Sequence, residues 1–162
     1  MDTTTSAFLE LGADTTLVEI ELAAGSGDPL HRHAGYAQRV EVLDGHLTVQ
    51  VGGSILVLEA GESAVAPAGA AHSFRNTSRH PVRFRVEVTP GDRGYERSLQ
   101  VLHGLAADGL EPSLLEHAVL ARWAGVRVGG LGALFEPAFT VLAWIARARG
   151  VDRKLARAYV TL

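Results

Sequence analysis

Three histidines and a glutamine stand where their spacing can gather metal-ligating atoms: His31, His33, Gln38 and His72. His31 and His33 are two residues apart, so on an extended strand both imidazoles project from one face and can grip one ion. Gln38 follows after Gly35, with room for a bend that returns its side chain to that face. His72 comes much later, beyond turn signals that can fold a further strand over the first. Three neutral ring nitrogens and one amide oxygen form a donor set for a divalent transition metal. These ligand types do not separate the candidates, so Fe, Mn, Ni, Cu and Zn all stay open.

Short strands must position these residues. Ala7 to Leu11 and Thr16 to Leu22 read as the first two, the second alternating Val18, Ile20 and Leu22 with Leu17, Glu19 and Glu21. Asp44-Gly45 is a hairpin signal between Arg39–Leu43 and His46–Val51. Gly52-Gly53 and Ala60-Gly61 turn the chain into Ser54–Leu58 and Glu62–Ala66. Pro67 to Ala70 turns it again, and Ala71–Arg75 and Val82–Val88 follow. So many strands at such close spacing predict an all-β sandwich or barrel, whose interior side chains can line.

Strand parity sorts the side chains. Tyr36, Gln38, Val40 and Val42 share the inward face, and Arg39, Glu41 and Leu43 face out. Glu41, the nearest carboxylate, is therefore no substitute ligand. His72, Phe74 and Asn76 share a face, as do Val82, Phe84, Val86 and Val88. The expected interior is apolar apart from the ligands, with Tyr36, Val40, Phe74 and Phe84 as pocket walls. Such a pocket suits a small, largely nonpolar or aromatic molecule. Asn76 is expected to support a turn, and His46, His80, His103 and His117 to lie away from the metal.

At Pro90-Gly91 the periodicity becomes helical. Tyr95, Leu99, Leu102 and Leu105 recur at three and four residues. Pro112 suits the first turn of a second helix, carrying Leu115, Val119 and Trp123. Gly125 to Gly132 reads as a break. A third helix is predicted from about Ala133 to Arg149, with Glu136 and Pro137 near its start and Gly150 past its end. The domain division is thus 1–90 for the barrel and 91–162 for a tail of about three helices.

Composition narrows the function classes. At 47% hydrophobic and 20% charged, 162 residues can bury a core as one compact domain with an appendage. A net charge of −3 offers no footprint for nucleic acid. The absence of cysteine excludes disulfides and thiolate zinc sites and suits a reducing cytoplasm, and no secretory signal is visible at the N-terminus. The apolar run Leu131–Ala146 carries Glu136 and Pro137 and is shorter than a spanning helix, so membrane contact is not expected.

Two spaced patterns in this stretch resemble the cupin family. Gly25, His31, His33 and Gly45 fit the first motif, in which Gln38 stands where the family has glutamate. Gly61, Pro67, Gly69, His72 and Asn76 fit every place of the second. The resemblance implies a small antiparallel double-stranded β-helix (a jelly-roll barrel) with a metal inside. It also implies dimers formed through barrel faces, and chemistry of the dioxygenase, isomerase or cyclase type at a three-histidine centre. The tail looks like one attached to some bacterial single-domain cupins. It is expected to pack on its own barrel or on a partner's, giving a homodimer; covering the barrel mouth as a lid is the other arrangement.

Replacing glutamate by Gln38 leaves a bound ion its full charge and removes a proton-accepting carboxylate. Gln38 then either ligates through its amide oxygen or hydrogen-bonds a metal-bound water. Two functions from different classes follow: a metalloenzyme acting on a small oxygenated molecule, and a module that binds or senses such a molecule without turnover. A purely structural scaffold would leave the ligands unexplained.

Overall fold

Turns at glycine cut the first ninety residues of the computed structural model into nine strands; the structure describes residues 5–128 and 134–161. In chain order they are β1 (Thr5–Glu10), β2 (Thr16–Leu22), β3 (His31–His33), β4 (Ala37–Asp44), β5 (His46–Val51), β6 (Ser54–Glu59), β7 (Ser63–Ala66), β8 (His72–Arg75) and β9 (Val82–Thr89). The tail contributes helices α1 (Arg93–Ala107) and α2 (Leu114–Trp123), a short strand β10 (Val126–Val128), and helices α3 (Glu136–Ala148) and α4 (Val151–Tyr159).

The strands form two antiparallel five-stranded sheets, ordered β1-β2-β9-β4-β7 and β10-β3-β8-β5-β6. Alternation on each strand turns one side inward. On β9, Val82, Phe84, Val86 and Val88 are buried while Arg83 points to solvent and pairs with Glu19 at 2.7 Å. Inner faces of both sheets meet in one apolar core that includes Val18, Val40, Leu47, Val49, Phe74 and Phe84. Strand spacing predicts an all-β sandwich or barrel, and the arrangement is the jelly-roll that the cupin resemblance implies.

Two glycines show why the turns sit where they do. Gly45, between β4 and β5, has φ 83°, and Gly69, before β8, has φ 82°. Both lie in the left-handed region that a Cβ disfavours. Gly69 also donates its N–H to the carbonyl of His33 at 2.6 Å, fastening the turn before β8 to the end of β3. Asn76 completes the local frame, as its sequence position suggests. It is fully buried, its amide donates to Leu22 O and His80 O, and its oxygen accepts from Ser78.

The tail departs from the sequence reading in three places. Its described residues form four helices where about three were expected. The fourth begins at Gly150, whose φ of 71° ends α3 and redirects the chain. Val151, Leu155 and Tyr159, spaced by four, then seal α4 onto the second apolar cluster with Val101, Leu105, Val119 and Leu120. The expected break at 125–132 contains β10, which adds an edge to β3 in register Val126–His33 and Val128–His31. Pro112 precedes the second helix instead of sitting in its first turn. Ser113 is the N-cap, accepting from Glu116 N–H while Glu116 reaches back to Ser113 N–H. Ala133, placed in the third helix by its periodicity, falls outside the described residues. No helix among the described residues is long and apolar enough to cross a membrane.

Candidate metal centre and cavity

Register places the three histidines together. His31 on β3 is paired directly with His72 on β8, and such cross-strand partners sit side by side on one face. His33 follows at the next inward position of β3. Ring centroids lie 4.7 Å apart for His31–His33, 4.5 Å for His31–His72 and 5.3 Å for His33–His72. Gln38 comes from the opposite sheet, on β4, and reaches the same point. All four side chains are buried.

Hydrogen bonds orient each ring. Nδ1 of His31 lies 2.8 Å from Pro29 O, Nδ1 of His72 lies 2.9 Å from Ala70 O, and Nδ1 of His33 lies 3.0 Å from Ala124 O. A carbonyl only accepts, so in each case Nδ1 carries the proton and Nε2 keeps its lone pair. The Tyr36 oxygen lies 2.6 Å from the same His33 nitrogen, and its hydroxyl donates to Ala124 O at 2.8 Å.

Once the protons are on Nδ1, the centre is a meeting of acceptors. His31 Nε2 is 3.0 Å from His33 Nε2, and His72 Nε2 is 2.8 Å from Gln38 Oε1. Each contact is a hydrogen bond when an Nε2 carries the proton, and with the protons on Nδ1 the same atoms are free to ligate. One ligand atom from each histidine lies within 4.8 Å of the others. A cation relieves the repulsion among these lone pairs. Bonds of about 2.1 Å set roughly at right angles separate neighbouring ligand atoms by about 3.0 Å. The His31–His33 and His72–Gln38 spacings are close to that, and the third histidine lies within 4.8 Å, so the donor set fits a metal ion.

Burial keeps the rings neutral. It lowers the pKa of His31 and His72, and it lowers that of His33 to about 3, with a further contribution from the neighbouring His31. Neutral imidazole is the ligating form. Asp28, beside β8, accepts the Phe74 N–H and lies 3.5 Å from His31 Nδ1. Burial pushes its carboxyl up to about 6, against the opposing hydrogen bond from Phe74.

A cavity of about 600 Å³ opens from this centre. His31, His33 and Gln38 border it, with Asp28, Ile20, Phe74 and Val86 from the barrel. The rest of its wall is the tail: Tyr95, Leu99 and Leu102 of α1, Leu114, His117 and Leu120 of α2, and Phe139 of α3. The tail thus roofs its own barrel. His72 completes the ligand group without bordering the cavity. Among the expected wall residues Phe74 is in place, but Tyr36, Val40 and Phe84 are packed in the barrel core and do not border the open space. Inward parity puts a side chain in the interior without saying whether its neighbour there is another side chain or a void. Sequence reasoning missed the tail residues, although Leu99 and Leu102 share a helical face with Tyr95. His117 was expected away from the metal, and it stands at the exposed end of the cavity wall.

Residues 18–89 match the family model described as a cupin domain. No curated protein sequence matches the chain. Among solved structures, the TT1209 protein of Thermus thermophilus is 30% identical with a TM-score of 0.50, over 53% of this chain and 84% of that one. KdgF from Halomonas sp. is 19% identical with a TM-score of 0.53, over 56% of this chain and 81% of that one. An RmlC-like cupin from Shewanella frigidimarina NCIMB 400 is 23% identical with a TM-score of 0.51, over 56% and 78%. The last two likenesses speak for the fold alone. With its two motifs and its three clustered histidines, the stretch 18–89 is a cupin domain.

Proposed function

We propose that this protein is a metal-dependent cupin acting on a small, largely apolar or aromatic oxygenated molecule, by chemistry of the dioxygenase, isomerase or cyclase type. One observation carries the reading: three buried imidazoles and the Gln38 oxygen meet at the edge of a cavity walled mainly by aliphatic and aromatic side chains. His31, His33 and His72 are the ligands in this proposal, and Gln38 is a fourth ligand or orients a water. A bound Fe, Mn, Ni, Cu or Zn ion supplies Lewis acidity toward a substrate oxygen. The chain's part is to exclude water through the helical roof, to hold the imidazoles in one tautomer, and to present apolar walls. Asp28 offers a carboxyl group on the cavity wall, where the Gln38 position offers none.

The experiment is metal analysis of purified protein, followed by oxygen uptake and product analysis against catechols, flavonols and β-diketones. About one equivalent of metal with turnover of one class supports the proposal. Less than about a tenth of an equivalent, with none regained from any of the five metals, overturns it.

A second reading is favoured by the tail forming much of the cavity wall. Bound ligand would then press directly on α1, α2 and α3, as a sensing module requires. Tight binding without turnover selects this reading. The proposal extends to a cytoplasmic homodimer. Val141, Trp144 and Ile145 lie at three- and four-residue spacing on α3 and are exposed, which supports a partner face there. Light scattering at micromolar concentration tests the oligomeric state.

A further inference from the structure

Tyr95 lies in the first turn of α1, where its N–H donates to the N-cap carboxylate of Asp92 at 2.7 Å. The residue is 9% exposed and borders the cavity. The ring stands edge-on to Tyr36 with centroids 5.8 Å apart, so packing fixes its direction. Among the described residues its hydroxyl has no hydrogen-bond partner. The chain's other two tyrosines differ: Tyr36 bonds His33 and Ala124, and Tyr159 donates to Asp108 at 2.8 Å. The Tyr95 hydroxyl is not among the sealed, unpartnered side-chain atoms, so it is a free donor on the open space of the cavity.

Apart from the Gln38 amide nitrogen beside the histidines, the other side-chain donors of the cavity wall are engaged. Ser98 Oγ lies 2.8 Å from Gly94 O and 2.9 Å from Leu120 O. His31 and His33 direct their Nδ1 protons at carbonyls, and His117 Nδ1 faces Ser113 O. Burial, and after it the nearby Asp28 charge, raise the Tyr95 pKa, so the phenol keeps its proton at ordinary pH. Asp28 borders the same space and disfavours a second carboxylate there.

We propose that the Tyr95 hydroxyl binds the ligand of this cavity, donating a hydrogen bond to a carbonyl oxygen on an otherwise apolar molecule. This rests on the reading of the cavity as the ligand site, and it does not depend on the metal. Tyr95 lies beyond the residues that match the family model, so the tail supplies this specificity.

The test uses acetophenone and ethylbenzene, which share a ring and similar size and differ at the carbonyl. Binding of each to the full chain is measured by calorimetry, for wild type and Tyr95→Phe, both zinc-loaded and chelator-treated. Wild type is expected to prefer acetophenone. Tyr95→Phe should weaken acetophenone about tenfold and leave ethylbenzene within about twofold. The variant's Tm should equal or exceed that of wild type, since no protein hydrogen bond is lost. Equal loss for both probes, no preference in wild type, or no binding of either overturns the proposal. A variant that melts lower or fails to fold also overturns it, because the hydroxyl would then have an internal partner. The metal content of the same samples judges the metal reading separately, since the probe difference is expected in both forms.

Discussion

The Nδ1 proton of His33 points at the carbonyl oxygen of Ala124, 3.0 Å away in space and 91 residues away in sequence. Ala124 follows the last residue of α2, so the helical tail sets the tautomer of a barrel histidine. The same carbonyl accepts from the Tyr36 hydroxyl at 2.8 Å. Outer partners of this kind fix ring orientation and raise ligand basicity. The tail is therefore part of the centre as well as its roof.

Tyr36→Phe removes the hydroxyl from this arrangement while keeping the ring stacked on His33 at 4.4 Å. The expected result is a loss of about 1 kcal/mol in folding stability and a fall in metal affinity of about tenfold. Urea unfolding of metal-free protein and competition with a chromogenic chelator measure the two effects. Unchanged affinity would show that Ala124 alone suffices to orient His33.

His31→Ala and His72→Ala each remove one of three converging nitrogens. Metal content should fall below about a tenth of an equivalent in either variant, with circular dichroism unchanged. In wild type, metal at a hundred times its Kd should stabilise the fold by about 2.7 kcal/mol, and chelation should reverse this. A scaffold without a metal role predicts no change in metal content or in the response to chelator.

Acid should unfold the metal-free protein through its histidines. The folded pKa of His33 is lowered to about 3 from an ordinary 6.5, and those of His31 and His72 are lowered too. Below 6.5 the unfolded chain binds protons that the folded chain refuses, so the contribution is complete above that pH and is lost as pH falls toward 3. Asp28 has the opposite sign. Its pKa is raised to about 6 from 3.8, so its contribution is present below 3.8 and is lost as pH rises through about 6. Three imidazoles outweigh one carboxyl, and the urea midpoint should drop steadily from about pH 6.5 to about pH 4. A midpoint that stays flat across that window would contradict the buried neutral rings.

Gln38→Glu places a carboxylate at a position only 3% exposed, beside His72 Nε2. Metal-free variant should be less stable by about 2 kcal/mol or more, because the charge lacks a partner. Added metal should restore stability, and metal affinity should rise while affinity for anionic ligands falls. Thermal melts with and without zinc, together with azide titration of the loaded protein, check both directions.

Much of this centre can be read from residue spacing. His31 and His33 share a strand face because backbone pleating has period two, and Gln38 and Val40 turn inward for the same reason. Gly45 and Gly69 mark turns because only glycine takes their φ values without strain. Asn76 belongs to the same class: a short amide beside Ser78 favours a turn that its side chain can bond. These are local properties of the chain.

The rest is decided by contacts that carry no local pattern. The Ala124 partner of His33 is a backbone carbonyl, and any residue at that position would offer one. β10 is three residues long, too short to show a period, and it forms because β3 leaves an unpaired edge beside it. Whether an inward side chain meets a void or another side chain depends on how the tail closes the barrel. Phe74 therefore borders the cavity and Tyr36, Val40 and Phe84 do not. Sequence determined which side chains face the interior and which could ligate. Tertiary packing decided where the interior stays open and which tail groups complete it, because volume and hydrogen-bond partnership belong to elements brought together from far apart.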